Sequence, residues 1–432
     1  MSTSIEPLRG VHDILPSQIA TWQLLESTTR EVFAAYGYEE MRVPIIEQTS
    51  LFKRSIGDFT DIVEKEMFSF VDQGEDHITL RPEATAGIAR AVISNGLLRA
   101  GRLKLWCMGA MFRRERPQAG RYRQFHQIDA EAFGFAGPDI DAEMILLSAR
   151  LLKRLGLSGT KLHLNSLGTP ESRAVYRERL LEYFTAHESR LDEDSRRRLH
   201  GNPLRILDSK HPETQHIVAG APHLGESLDP QSRDHFEALC GHLRAAGIEY
   251  HVDHRLVRGL DYYTRTVFEW ITDSLGAQST VCAGGRYDGL VAQLGGAATP
   301  GIGWAMGQER IVMLLEKLGR PADADSPHVY LIMSGERAEK MGFELAERLR
   351  DERPALKLLC NMGGGNFKAQ FKRADKSGAK YALVLGDDEL GRGAAGLKDL
   401  RDGRTQEDCP FERLGERLGV LLGLDAANTG KS

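Results

Sequence analysis

The pattern of strand and helix signals changes once along this chain, across the polar stretch Gly319-Arg-Pro-Ala-Asp-Ala-Asp-Ser-Pro327, and the change demands two differently built units. Before it, strand-like runs follow one another with few helices between: His77–Leu80, Lys104–Phe112, Arg123–Phe133, Ile248–Asp253, Val267–Ile271 and Thr280–Ala283. Consecutive strands favour an antiparallel sheet with helices around it, an α+β core. After Pro327 the signals alternate: strand 328–333, helix 336–350, strand 356–361, helix 366–377, strand 381–386. Alternation of that kind predicts a small α/β domain with a largely parallel sheet. We therefore divide the chain into residues 1–325 and 328–425, and residues from Ala426 onward read as a frayed end.

Within the first unit, Pro16 and Ser17 open an amphipathic helix that stops at Gly37. A strand from Glu40 to Ile46 follows, demoted to an edge by Pro44. Pro82 starts a helix reaching Gly96, and Asp139 caps another that runs through Leu155 to Gly156. From about Thr169 to Gly247 the chain is helical and charged, which reads as an inserted helical domain. A helix from Gly303 to Leu318 closes the unit.

Composition narrows the function classes. Of the 432 residues, 41% are hydrophobic and 27% charged, which is ordinary for a soluble globular protein. Neither a secretory leader nor an apolar run of about 18 residues is visible, so a cytoplasmic location with no membrane contact is expected. The five cysteines form no C-x-x-C pair and the fourteen histidines no H-E-x-x-H, which argues against a disulfide scaffold and a zinc site. A net charge of -5 gives no global case for nucleic acid and none for DNA. Locally the balance reverses. Arg99 to Arg123 holds eight Lys/Arg against the single acid Glu115, and Lys357 to Lys380 holds six against Asp375. Two basic islands on an acidic chain suggest a polyanion gripped at two places.

The first island contains the segment richest in chemistry. Arg113, Arg114, Arg116, Arg121 and Arg123 flank the Pro-Gln-Ala-Gly turn at 117–120, so a hairpin would aim several guanidinium forks at one phosphate-rich ligand. Counting by two places Arg121, Gln127 and Glu131 on one strand face, which joins an anion binder and a carboxylate on one pocket wall. A solvated basic hairpin is the competing reading.

Seven segments together resemble the histidyl-tRNA synthetases of the class II fold, over nearly the whole length. They are Arg9-Gly-Val-His-Asp13, Gly37 to Glu47, Leu80-Arg-Pro-Glu-Ala-Thr-Ala-Gly87, Phe112 to Glu131, Leu256 to Glu269, Ala283-Gly-Gly-Arg-Tyr-Asp288 and Gly301 to Arg310. The segments around Arg258 and Arg286 are similar to motifs peculiar to that family, whereas the first motif, the arginine-rich second motif and the Gly-x-Gly…Glu-Arg third motif are shared with other class II enzymes. The resemblance implies that the histidine carboxylate attacks the α-phosphorus of ATP, with Mg²⁺, and that the aminoacyl group then passes to the 3' end of tRNA(His). It assigns Arg113 and Arg258 to the α-phosphate region, Arg310 to the γ-phosphate and Arg121 to the triphosphate tail. It assigns Glu131 to the imidazole N–H and Tyr263 to the other ring nitrogen, with Tyr262 as pocket wall. Glu83, Thr85 and Gln127 receive the α-amino group. Pro44 falls in the segment that the family uses for its homodimer interface.

For tRNA, the resemblance points to Arg116 and Gln118 at the acceptor end and to an anticodon-binding domain after Pro327. There Lys368, Lys372 and Lys376 fall four apart on one helix face, with Phe367 and Phe371 expected toward the core. Gly363-Gly-Gly365 before that helix lacks the Gly-Lys-Ser/Thr ending of a phosphate loop. Two positions depart from the family pattern, Ala84 for a frequent glycine and Cys107 for an aromatic at the pocket floor. The rival readings are a catalytically silent paralogue that binds histidine, a class II synthetase for another amino acid, and a plain RNA-binding protein. Arg286 and Asp288 have a simpler alternative, pairing with each other.

Overall fold

The computed structural model describes residues 5–57, 60–209, 211–319, 326–402 and 406–424. Most of the polar stretch between the two patterns, and the expected frayed end, lie outside the described residues. The chain separates into two compact units, Met1–Pro321 and Ala322–Ser432.

The first unit contains strands β1 (Glu39–Glu40), β2 (Ile46–Gln48), β3 (Phe68–Val71), β4 (His77–Leu80), β5 (Leu103–Phe112), β6 (Gln124–Phe133), β7 (Thr160–Ser166), β8 (Tyr250–Val252), β9 (Thr264–Thr272), β10 (Thr280–Arg286) and β11 (Gly301–Gly307). Eight of them form one sheet in the order β1-β5-β6-β11-β10-β9-β7-β8. Its central pairs are all antiparallel, and only the outer pairs β1–β5 and β7–β8 are parallel. The single strand expected from Glu40 to Ile46 is two short strands in different sheets, because Pro44 brings no N–H to a ladder between them.

A larger correction concerns Gly303 to Gly307. These residues are not the start of a helix but the body of β11, at the middle of the sheet, and the helix begins only at Gln308. Three glycines in seven residues disfavour a helix, while paired neighbours on both edges supply the hydrogen bonds that β11 needs. Asp139 likewise lies inside the first turn of the Pro138–Arg154 helix rather than at its cap, which is Gly137. There it still opposes the positive end of the helix dipole.

One sheet face carries Ile128, Ala130, Ala132, Trp304 and Met306 against the helices Pro16–Ala35, Pro138–Arg154, Pro230–Ala245 and Gln308–Lys317. The last helix of the expected insertion therefore belongs to the main core, through Leu239, Cys240 and Leu243. The remaining insertion helices pack on the other face, where Tyr176, Leu180 and Phe184 share a core with Ile88, Val92 and Tyr263. That second face holds the functional site.

In the second unit β12 (Val329–Met333), β13 (Leu358–Cys360), β14 (Tyr381–Leu385), β15 (Ala394–Asp399) and β16 (Glu407–Pro410) are ordered β13-β12-β14-β15-β16. The first three are parallel, as alternation requires, but β15 and β16 add antiparallel strands that the sequence pattern did not disclose. Phe371 packs under Lys398, whereas Phe367, expected in the core, is exposed at the start of the Phe367–Lys376 helix. Lys368, Lys372 and Lys376 are all exposed on that helix. Gly363, Gly364 and Gly365 all have positive φ, and the carbonyls of Gly364 and Gly365 accept bonds from Arg373 and Gln370. Those carbonyls cap this unit's own side chains.

Candidate active site

The site is a cleft on the second sheet face, floored by β6, β11 and β10. Register explains its shape. Opposite pairings place Cys107, Asp129, Ala305, Ala283 and Glu269 in one row across five strands. Small side chains at 305 and 283 leave open floor between two acids. Along β6, Gln127, Asp129 and Glu131 share this face, while Ile128 and Ala130 point into the opposite core.

Glu131 is fully buried and accepts a hydrogen bond from Thr85 Oγ1 at 2.6 Å and another from the Tyr287 hydroxyl. It lies beneath the lining of the cleft, with Thr85 between. Its neighbour across the ladder is Gly303, where a Cβ would stand 1.7 Å from Glu131 Oε2. No other residue fits at 303 while the carboxylate keeps this position. Burial raises the Glu131 carboxyl well above the usual range; its bonds from Thr85 and Tyr287 oppose that shift, and Asp129 and Glu83 add to it.

Glu83 sits just before the Thr85–Ser94 helix and accepts from the backbone N–H of Thr85 and Ala86, at 2.8 and 2.9 Å. A carboxylate there meets the helix's unpaired amides and its positive end. Ala84 is wholly buried as the N-cap residue, and Cys107 is buried opposite Asp129, outside the lining. Tyr262 and Tyr263 close one side, with ring centroids 4.7 Å apart and Tyr287 edge-on to Tyr262.

The segment carrying those tyrosines is held from the insertion. Arg173 donates to the Tyr263 carbonyl at 2.6 Å, Arg205 to the Gly259 carbonyl, and Asn202 to Asp261 at 3.3 Å. A loop so fastened presents Arg258 over the Tyr263 ring at 5.7 Å and in an ion pair with Glu269.

The arginines differ in how much of each guanidinium the fold uses. Arg113 donates Nε to the Pro82 carbonyl at 2.9 Å and stacks over Phe125 at 5.3 Å. Arg121 pairs with Glu115 at 2.8 Å, and Arg310 donates to the carbonyls of Gly120 and Thr280. Arg121 is not on the strand with Gln127 and Glu131, because β6 starts at Gln124; it reaches the cleft from the turn instead. Arg116 and Gln118 are exposed on that turn, whose Gly120 has φ +72.

The cleft thus brings together Glu83, Thr85, Arg113, Arg121, Gln127, Arg258, Tyr262, Tyr263 and Arg310 from four separate sequence segments. Lys368 and Lys372 belong to the other unit. Sequence reasoning missed Tyr287, Asp129 and Glu309. Tyr287 was overshadowed by its neighbours Arg286 and Asp288. Asp129 lies on the counted strand face and was legible there. Glu309 fixes His126 through both the backbone N–H and Nδ1, each at 2.9 Å from Oε1. Arg286, at the end of β10, stands apart from the cleft, buried with its guanidinium on the Gly137 carbonyl at the start of the Pro138–Arg154 helix.

Residues 10–311 match the family model described as histidyl-tRNA synthetase, and residues 328–420 the anticodon binding domain. The chain is 56% identical to the histidine–tRNA ligase of Halorhodospira halophila, over 97% of this chain and 99% of that one. Among solved structures it is similar to apo S. aureus histidyl-tRNA synthetase, at 33% identity and a TM-score of 0.81, covering 96% of this chain and 100% of that one. The histidyl-tRNA synthetase of Nostoc sp. PCC 7120 shares the fold at 19% identity, TM-score 0.69, over 97% of this chain and 100% of that one.

Proposed function

The chain belongs to the histidyl-tRNA synthetase family, and from that premise we propose how its cleft divides the work between ATP, histidine and tRNA. The activity is that of a histidine–tRNA ligase: histidine and ATP give histidyl-adenylate and pyrophosphate, and the histidyl group then passes to the 3' end of tRNA(His). The observation that carries the division is the lining of the cleft: Glu83, Tyr262 and Tyr263 lie beside Arg113, held on the Pro82 carbonyl, and Arg258, over the Tyr263 ring, while Arg121 reaches in from the hairpin turn and Arg310 bonds that turn's Gly120 carbonyl.

For histidine, Glu131 accepts the imidazole N–H and Tyr263 donates its hydroxyl to the bare ring nitrogen, with Tyr262 as wall. Burial raises the Tyr263 phenol further above its ordinary value, so its hydroxyl stays a donor. Glu83, Thr85 and Gln127 receive the α-amino group. For ATP, Arg113 and Arg258 bind the α-phosphate region and Arg310 and Arg121 the β,γ end. In-line transfer of this kind needs positioning and fixed positive charge more than covalent catalysis. Mg²⁺ enters with ATP as part of the substrate, bound to the polyphosphate.

Arg116 and Gln118, exposed on the hairpin turn, meet the acceptor end, and Lys368 with Lys372 contact tRNA in the anticodon domain. We take residues 1–325 as the catalytic domain and 328–425 as the anticodon-binding domain. We assign a homodimer, supported by the apolar residues Ile45, Ile46, Phe70 and Val71 that stay exposed on and beside the sheet β2-β4-β3. The location we assign is the cytoplasm; among the described residues no helix is long and apolar enough to cross a membrane.

The test is pyrophosphate exchange into ATP with each of the twenty amino acids, followed by charging of total tRNA. Exchange should depend on histidine alone. Exchange without charging would favour a silent paralogue, and exchange with another amino acid would refute the pocket assignment. In the same assay Glu131→Gln should raise the KM for histidine by about 100-fold, as expected for a buried charge-assisted bond, with the KM for ATP nearly unchanged. Equal rises in both would sink the imidazole assignment.

A further inference from the structure

Asp129 is 1% exposed, lines the cleft, and its Oδ2 has no hydrogen-bond partner. Two residues earlier on the same strand face, Gln127 Oε1 is also buried, lines the cleft and lacks a partner. Buried acceptors without donors are costly, by about 1–3 kcal/mol each and more for a charged group. A fold keeps such a pair where a ligand supplies the missing donors. The flanking residues across the ladders are Cys107 and Ala305 for Asp129, and Gly109 and Gly307 for Gln127. None of these residues supplies a donor to either acceptor, and Asp129 and Gln127 line the same cleft. Glu83 is close enough to Asp129 to be, after burial, the main cause raising its carboxyl well above the usual range, while Arg81 and Arg113 oppose it. Three acceptors lining one cleft, two of them without a donor, suit a cation with several N–H donors.

We propose that Asp129 is a second anionic ligand of the substrate's α-ammonium group, which it shares with Glu83 and Gln127. The inference rests on the reading of this cleft as the histidine site. An ammonium has three N–H donors, one each for Glu83, Gln127 and Asp129, so Asp129 takes the third donor in place of Thr85, whose hydroxyl is given to Glu131. Alternate residues of a strand are about 6.7 Å apart, so Asp129 and Glu131 can meet the two ends of one histidine, while Gln127 and Asp129 share one ammonium by converging their side chains on it. Glu131 is already engaged with Thr85 and Tyr287 and faces the deep end. Asp129 is therefore the acid left for the end of the substrate that carries the charge. An unpaired buried carboxylate also makes the free protein less stable than it would be with a neutral group at that position.

The experiment compares Asp129→Asn and Asp129→Ser with the wild type, using full-length protein. Two competitors of histidine separate the ends of the ligand: histidinol keeps the ammonium and lacks the carboxylate, and imidazole-4-propionate keeps the carboxylate and lacks the ammonium. The inference expects both variants to weaken histidine and histidinol by about 10- to 100-fold, the worth of one charge-assisted hydrogen bond. Imidazole-4-propionate and ATP should bind as to the wild type, and the free variants should melt no lower than it. Equal weakening of imidazole-4-propionate, no weakening of histidinol, or a lowered melting temperature together with loss of all three ligands would each overturn it. A wild type without histidine-dependent exchange would overturn the reading of the site and this inference with it, whereas the variant outcomes overturn the inference alone.

Discussion

Arg113→Ala should slow histidine-dependent pyrophosphate exchange by about 100- to 1000-fold, the cost of losing one preorganised donor to a developing phosphorane. The geometry ranks this arginine above the other three. Its Nε is fixed by the Pro82 carbonyl and its plane by Phe125, while its terminal nitrogens carry no protein hydrogen bond among the described residues and face the cleft. Arg258 is already neutralised by Glu269, Arg121 by Glu115, and Arg310 spends bonds on the carbonyls of Gly120 and Thr280. A donor held in place yet uncommitted costs least to reorganise during reaction. The loss should fall on kcat, with the KM for ATP moving less than about ten-fold. Arg113→Lys should recover little, because an ammonium cannot keep the Pro82 bond and still present two parallel donors. Steady-state exchange over a range of ATP concentrations measures both; a loss confined to KM would reduce Arg113 to a ground-state contact.

How much of this site was legible in the sequence depended on the distance over which each signal acts. The hairpin was readable because paired strands and a Pro-Gln-Ala-Gly turn are local, and β5 and β6 pair residue for residue from Leu103–Phe133 to Phe112–Gln124. Gly303 to Gly307 was misread as helix because the hydrogen bonds that make it a strand come from β6 and β10, far away in sequence. The functional reason for Gly303 is equally non-local: it makes room for Glu131. Tyr287 could be assigned no role from its own segment, since its hydroxyl partner lies 156 residues away. Arg173 and Arg205 offered no sequence signal at all. They act on backbone carbonyls of the loop that holds Arg258 and Tyr263, and a carbonyl has no identity in a sequence. The insertion that looked siteless thus supports the site.

Arg286→Ala should destabilise the first unit by about 3–5 kcal/mol, although Arg286 stands in one of the segments that carry the resemblance to the family. Its five N–H donors are all used. Nε bonds Asp141 at 3.3 Å, Nη1 bonds the Phe135 carbonyl at 2.9 Å and Asp288 at 3.0 Å, and Nη2 bonds the Gly137 carbonyl at 2.9 Å and Asp141. Pairing with Asp288 is thus only part of its role. The arginine and Asp141 are both wholly buried, and Asp141 is also held by His235 at 2.7 Å and Thr266 at 2.6 Å. Removing the guanidinium leaves a buried carboxylate short of its cation and two carbonyls at a helix start without donors. Burial alone would raise the Asp141 carboxyl, but His235 and Arg286 more than offset it and hold it below the usual aspartate range. A carboxyl lowered on folding stabilises the protein above its unfolded pKa, and that stabilisation is lost as pH falls through the folded value. Acid unfolding of Arg286→Ala should therefore begin at higher pH than in the wild type, with a lower denaturant midpoint at neutral pH. If Arg286 instead served a substrate directly, the variant would keep the wild-type midpoint and acid profile and lose only its KM.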